Sequence, residues 1–246
     1  MSATASAQVS GGTRHTPHVS TAYAEHPAVA ALATEVTVLL GDRARLVVGL
    51  AGPPGTGKST VAAALVEHLC RLGTPSDLVP MDGFHLDQRE LERLGRADRK
   101  GAPDTFDVGG YVALLRRLRA GDEPVVLAPR FDRELEQSIG SALPVPARVR
   151  VVVTEGNYLL LHPSDLSRPV ADDLTMAAWP QVRELLDRCW FVAVDPTTRL
   201  ERLVARHVAH GRSPEAAREW VERNDEDNAR LVDGTRGRAD GVVTWD

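Results

Sequence analysis

Residues Gly52 to Thr60 read Gly-Pro-Pro-Gly-Thr-Gly-Lys-Ser-Thr and fit the pattern G-x-x-x-x-G-K-[ST], with Gly52, Gly57, Lys58 and Ser59 at its fixed positions. An apolar run precedes this loop and a helical pattern follows it, which is the order a phosphate cradle requires. Glycines let main-chain N–H groups turn inward around phosphate oxygens, and the helix N-terminus adds its positive dipole end. Lys58 brings a mobile cation to the outer phosphates, and the Ser59 hydroxyl is placed to hold Mg²⁺. Pro53, Gly55, Thr56 and Thr60 complete the candidate nucleotide-binding loop. The motif predicts that a nucleoside triphosphate, ATP in the first instance, binds here. It does not say what receives the phosphate.

Phosphoryl transfer to an alcohol needs further groups: a base beside the hydroxyl, a metal-holding carboxylate and cations that neutralise the moving charge. Asp82, in Pro-Met-Asp-Gly-Phe-His after the second apolar run, is the candidate base, with a turn-capping aspartate as the alternative. Glu155 closes the Val-rich third run and is the candidate Mg²⁺ carboxylate; the alternative is a structural partner for an arginine. Arg199, Arg202 and Arg206 recur at three- and four-residue spacing, so a helix places them near one face, with His210 a turn further and Arg212 after a glycine. Such a stripe reads as a lid over ATP, with Arg206 closest to catalysis and Arg202 and Arg212 on the nucleotide, or else as solvated surface charge.

The elements that must position these groups are legible as alternating patterns. Apolar runs at Arg45–Ala51, Asp77–Met81, Arg148–Glu155, Cys189–Asp195 and Asp240–Trp245 read as strands buried on both faces of a parallel sheet. Helical periodicity is expected from Pro27 to Leu40, Lys58 to Arg71, Asp107 to Ala120, Pro196 to His210 and Pro214 to Leu231. The result is an α/β layered fold. Residues 82–147 form a long excursion with an extra apolar run at Pro124–Ala128, the kind of insertion that builds an acceptor site. Residues 1–25 hold almost no large apolar side chains and are expected to be a disordered tail, leaving 26–246 as one domain with a lid region at 196–213.

Composition narrows the function classes. The chain of 246 residues carries 29 Lys+Arg against 34 Asp+Glu, a net charge of −5, which leaves no diffuse positive field for a nucleic-acid backbone. Cys70 and Cys189 stand far apart with no metal-ligand spacing, so neither a disulfide framework nor a zinc site is expected. No stretch before the core is long and apolar enough for a membrane span or shaped like a signal peptide, so a cytoplasmic protein is expected. A switch GTPase is disfavoured because no Asn-Lys-x-Asp segment is present. Rival readings are a nucleotide-dependent regulator without an acceptor and a nucleic-acid end kinase, the second disfavoured by charge.

Taken together, GPPGTGKST, MDGFH, RKGAPDTFD, PRFDRELEQ, VTEGNYLL and the Arg-rich helix before GRS resemble the uridine kinase, phosphoribulokinase and type I bacterial pantothenate kinase family over about residues 45–245. The wording is nearest the nucleoside/nucleotide kinase-like branch associated with fructose transport. The resemblance implies a P-loop NTPase three-layer sandwich: a five-stranded parallel sheet in order 2-3-1-4-5 between helices, with an inserted acceptor region and an Arg-rich lid. It puts Asp82 at the family's catalytic aspartate, and Lys58, Ser59 and Glu155 at its phosphate and Mg²⁺ positions. His85, where uridine kinases usually carry a Tyr, argues against uridine as acceptor. By the same resemblance Asp104 faces acceptor hydroxyls, Lys100 adds a cation, and Arg130, Phe131 and Arg133 replace a P-x-Y-D segment, their arginines suited to an anionic acceptor. Asn157 completes the acceptor set, Arg236 and Arg238 flank the adenine, and the Asn224–Asn228 stretch loosely resembles an Asn-containing helix of pantothenate kinases. Expected partners are ATP and a small hydroxyl-bearing substrate, with a homodimer as an open alternative, and neither nucleic acid nor a membrane.

Overall fold

The structure is a computed structural model that describes residues 21–165, 176–209 and 211–245. Its strands are β1 (Leu46–Ala51), β2 (Ser76–Leu78), β3 (Val125–Asp132), β4 (Gln137–Pro146), β5 (Val151–Gly156), β6 (Arg188–Ala193) and β7 (Gly241–Thr244). Five of these make one sheet in order β2-β5-β1-β6-β7, with every pairing parallel. Leaving out β3 and β4, which form a separate antiparallel ribbon, the order is the expected 2-3-1-4-5.

Every residue of β1 and β5 is buried, because helices cover both faces of the sheet. The helices are α1 (Thr21–Ala24), α2 (Pro27–Leu40), α3 (Lys58–Arg71), α4 (Gln88–Arg93), α5 (Val108–Ala120), α6 (Trp179–Glu184), α7 (Pro196–Ala209), α8 (Pro214–Trp220) and α9 (Glu226–Asp233). Alternate strand residues divide between two cores. Leu46, Val48 and Leu50 pack with Val151 and Val153 under α2 and α3, whereas Val47, Ala51 and Val152 join Tyr111 and Leu115 of α5, Trp179 of α6 and the inner face of the ribbon. The buried Thr154 hydroxyl is satisfied on both sides, by Tyr111 Oη at 2.6 Å and by donation to the Val79 carbonyl at 2.6 Å, which ties α5 to the end of β2.

The structure departs from the sequence reading in four places. β2 stops at Leu78 rather than running to Met81, because Pro80 has no N–H and a 3₁₀ turn, Met81–Phe84, takes over. The apolar run at Pro124 is the start of a hairpin whose return strand, broken by Gly140, Pro144 and Pro146, carries no clean alternation. The helix expected from Pro214 to Leu231 is interrupted by a π turn, Val221–Asp225. Within the segment expected to lack structure, Thr21–Ala24 form a helical turn whose Ala24 carbonyl lies 2.7 Å from His68 Nδ1 of α3, while residues 1–20 lie outside the described residues. Among the described residues no helix is long and apolar enough to cross a membrane.

Candidate active site

The loop between β1 and α3 bends through Gly52, Gly55 and Gly57, at φ 152°, 85° and 83°. At Gly52 a Cβ would sit 2.6 Å from the Val192 carbonyl oxygen, so only glycine lets the chain leave β1 this close to β6. Inside the loop, Thr56 Oγ1 donates to the Pro53 carbonyl at 3.0 Å and Lys58 Nζ to the same oxygen at 2.9 Å. Neither a side-chain cap nor an acidic residue sits at the start of α3. The uncapped first-turn amides and the buried Lys58 ammonium, 7% exposed, therefore present a compact positive cradle, which fits the phosphates of ATP. Thr60 follows on the first turn of the helix.

Ser59 Oγ donates to Glu155 Oε1 at 2.9 Å, joining the start of α3 to the end of β5. Glu155 is 5% exposed, and burial together with the negative charge of Asp82 pushes its carboxyl up to about 7. Burial likewise pushes the Lys58 ammonium down to about 8, against the opposing pull of Glu155 and Asp82. Two hard oxygens at the mouth of a phosphate cradle fit Mg²⁺, which takes one or two protein oxygens and completes its shell with phosphates and water. No group of three or more His, Cys, Asp or Glu that could hold a metal forms among the described residues.

Asp82 sits in the 3₁₀ turn that follows β2, and its charge reaches Lys58 and Glu155 alike. The turn is pinned from two sides. Gly156 lies where a Cβ would be 2.6 Å from Met81 Cβ, and Gly83 where a Cβ would be 2.5 Å from the Pro129 carbonyl oxygen, so the β3–β4 ribbon lies directly on the turn. The ribbon's tip carries Arg133 to 3.7 Å from Asp82 Oδ2.

The other expected acceptor residues are distributed around this point. His85 sits between Phe106 and Phe131, with ring centroids 4.1 and 4.7 Å away in tilted contacts, and burial holds its imidazole below the usual range. Lys100 Nζ lies 5.3 Å over the Phe131 ring and donates to the Glu136 carbonyl at 2.7 Å. Arg130 pairs with Asp132 at 3.3 Å. Asp104 is gripped by Arg99, Nη2 to Oδ2 2.8 Å, and by Arg96 at 3.5 Å, so it stands in an ion-pair cluster. Asn157 is half-buried just past β5, beside Tyr158, whose hydroxyl donates to the Gly101 carbonyl at 2.6 Å.

The arginine stripe of α7 divides by function. Arg199 is buried, ion-paired with Glu226 of α9 and 3.5 Å from the Pro54 carbonyl, so it anchors helix to loop instead of moving with a lid. Arg202 Nη1 comes within 3.7 Å of where a Gly57 Cβ would be. Arg206, its pKa lowered by burial, lies in electrostatic range of Asp225, Arg133 and Asp82. Arg212 covers the Trp220 ring at 4.1 Å, Arg236 lies 5.8 Å over the Phe191 ring, and Arg238 forks onto Asp165 at 2.7 and 2.8 Å. His210 lies outside the described residues. Asp225, which the sequence offered only within the Asn224–Asn228 stretch resembling the pantothenate kinase helix, meets His207 Nε2 at 2.8 Å through the π turn, and Trp245, which sequence reasoning missed, backs Gly57 and meets the His26 ring at 4.4 Å. A Trp near the chain end carries no spacing signal that would single it out, and no spacing pairs Asp225 with His207.

A parallel sheet with a phosphate cradle at the carboxyl end of its central strand, flanked by a carboxylate and an arginine helix, defines a P-loop phosphotransferase. Residues 47–245 match the phosphoribulokinase/uridine kinase family, and the chain belongs to that family of small-molecule kinases. A candidate uridine kinase of Schizosaccharomyces pombe is 31% identical over 203 residues, 79% of this chain and 81% of that one. A pantothenate kinase of Leifsonia xyli subsp. xyli is 31% identical over 225 residues, 84% of this chain and 69% of its own length. Among solved structures, a candidate fructose transport system kinase from Silicibacter sp. TM1040 is 37% identical with a TM-score of 0.76, covering 89% of this chain and 98% of that one.

Proposed function

We propose that the chain transfers the terminal phosphoryl group of ATP to a hydroxyl of a small molecule, with Asp82 as the group that engages this hydroxyl. The observation that carries the reading is the position of Asp82 in the turn after β2, within electrostatic range of Lys58 of the phosphate cradle and of Glu155, which the Ser59 hydroxyl bonds at 2.9 Å. In the reaction the acceptor oxygen forms a bond to the terminal phosphorus as the bond from that phosphorus to the bridging oxygen breaks. The hydroxyl proton passes to Asp82 and then to solvent, and ADP leaves. Lys58, Arg202 and Arg206 neutralise charge on the phosphates; Ser59 and Glu155 would hold Mg²⁺, which supplies further neutralisation when bound. Packing of the ribbon on the Asp82 turn supports water exclusion, which matters because hydrolysis competes with transfer.

The test is a screen of acceptors for stimulated ADP release, with the product identified by mass. Asp82→Asn should lower acceptor-dependent kcat by about 10²–10⁴-fold, the usual contribution of a positioned base, with ATP affinity within about threefold of the parent. Unchanged turnover with a cognate acceptor would remove Asp82 from the chemistry. ADP release that no acceptor stimulates would favour a nucleotide-dependent regulator.

A further inference from the structure

We infer that the acceptor carries an anionic group, a carboxylate or a phosphate, and that Arg133 at the ribbon tip reads this group beside the hydroxyl presented to Asp82. The inference rests on the kinase reading above and narrows it to a class of acceptor.

Three cations were expected in the acceptor region, and the fold gives each a different partner. Lys100 is committed to the Glu136 carbonyl and carboxylate, at 2.7 and 3.4 Å, and so clamps the ribbon tip to the wall of the site. Arg130 pairs with Asp132 along its own strand. Arg133 alone of these three reaches the candidate base, 3.7 Å from Asp82 Oδ2, with its side chain 52% exposed and that of Asp82 35% exposed. An ion pair this open contributes little, so a better-placed anion draws Arg133 from Asp82 at small cost. A guanidinium offers a planar fork that matches a carboxylate or phosphate through two parallel hydrogen bonds.

The carboxylates argue in the same direction. Asp104, the group expected to receive acceptor hydroxyls, already holds Arg99 and Arg96, so a sugar diol competes there with two guanidinium groups. A neutral acceptor that takes Asp82 for its hydroxyl competes with Arg133 for that carboxylate and offers the guanidinium no anion in return. An anionic acceptor supplies both needs, a hydroxyl for Asp82 and an anion for Arg133. Arg206, which feels the like charge of Arg133, adds a second cation to the same neighbourhood.

The experiment gives the full chain MgATP and charge-matched acceptors: D-glycerate against glycerol, D-gluconate against D-glucose, and D-ribose 5-phosphate against D-ribose. ADP release and product mass are read, and melting temperature is measured separately with MgADP and each anion. Turnover should be confined to anionic members, and the carboxylate and phosphate arms identify which anion is read. Arg133→Gln should raise the acceptor KM by at least about tenfold, with kcat and the ATP KM within about threefold and Arg133→Lys recovering part of the loss. Anion-induced stabilisation lost in Arg133→Gln supports the inference even where no acceptor in the panel turns over. Turnover of neutral members at the same efficiency, or equal KM in parent and Arg133→Gln, overturns it and leaves the kinase reading standing. Absence of any anion-induced shift, together with ADP release indifferent to every acceptor, overturns both.

Discussion

At the residue scale, the site gathers groups whose ionisation depends on one another. Glu155, raised from 4.5 to about 7, stays protonated in the fold where the unfolded chain has already ionised it. Between those values the folded state binds more protons, so stability of the metal-free protein falls as pH rises through that window. Lys58, lowered from 10.5 to about 8, acts in the opposite sense at higher pH: there the unfolded chain binds more protons, and stability rises between about 8 and 10.5. Urea unfolding of the metal-free chain at pH 5 and pH 7 should therefore show a decline that Glu155→Gln largely removes. An equal decline in parent and variant would assign the pH dependence elsewhere. The same proximity makes Lys58→Ala costly in two ways, losing a phosphate contact and leaving Glu155 without its cation.

At the element scale, the β3–β4 ribbon turns a nucleotide-binding core into a site with a second substrate. Its contact with the Asp82 turn depends on Gly83, where a Cβ would meet backbone, the Pro129 carbonyl oxygen at 2.5 Å, rather than a side chain that could swing away. Gly83→Ala should destabilise the protein by about 1–3 kcal/mol through overpacking and displace the ribbon tip. The acceptor KM should then rise more than the ATP KM, because the phosphate cradle is built on β1 and α3, not on the ribbon. Equal changes in the two constants would mean that the ribbon does not shape the acceptor site. The short α1 and the start of α2 bear on the cradle differently. Tyr23 and His26 stack on Trp245 at 5.7 and 4.4 Å, and Trp245 backs Gly57, so a segment outside the family-matching region supports the nucleotide loop from behind.

At the scale of the whole molecule, the parallel sheet seals Cys189 between two layers, where burial pushes its thiol up to about 12. Neither the thiolate nor access to it is available in the native state, so its modification tracks global opening. With an aromatic disulfide reagent, the half-buried Cys70 should react first and Cys189 only on unfolding, with MgATP slowing the second phase by stabilising the folded state. Rapid modification of both thiols in native buffer would contradict the sealed core.

The phosphate loop, the five core strands and the long helices α2, α3, α5 and α7 were legible in the chain itself, because each is specified by local spacing: glycines at fixed intervals, continuous β-branched runs and helical periodicity. Asp82 and Glu155 were legible for a related reason, since side chains at the carboxyl ends of parallel strands gather at one edge of the sheet whatever the rest of the chain does. Tertiary structure alone decided what the charged residues do. Arg130, Arg133, Arg199, Arg206, Arg212 and Arg238 look alike in sequence, yet one anchors a helix to the phosphate loop, one covers a Trp, one forks onto Asp165 and one reaches Asp82. A long flexible cation takes its role from whichever partners the fold brings within a few ångströms, and for Arg133, Arg199 and Arg238 those partners lie tens of residues away along the chain. The return strand β4, specified by pairing with β3 instead of by its own pattern, stayed hidden for the same reason.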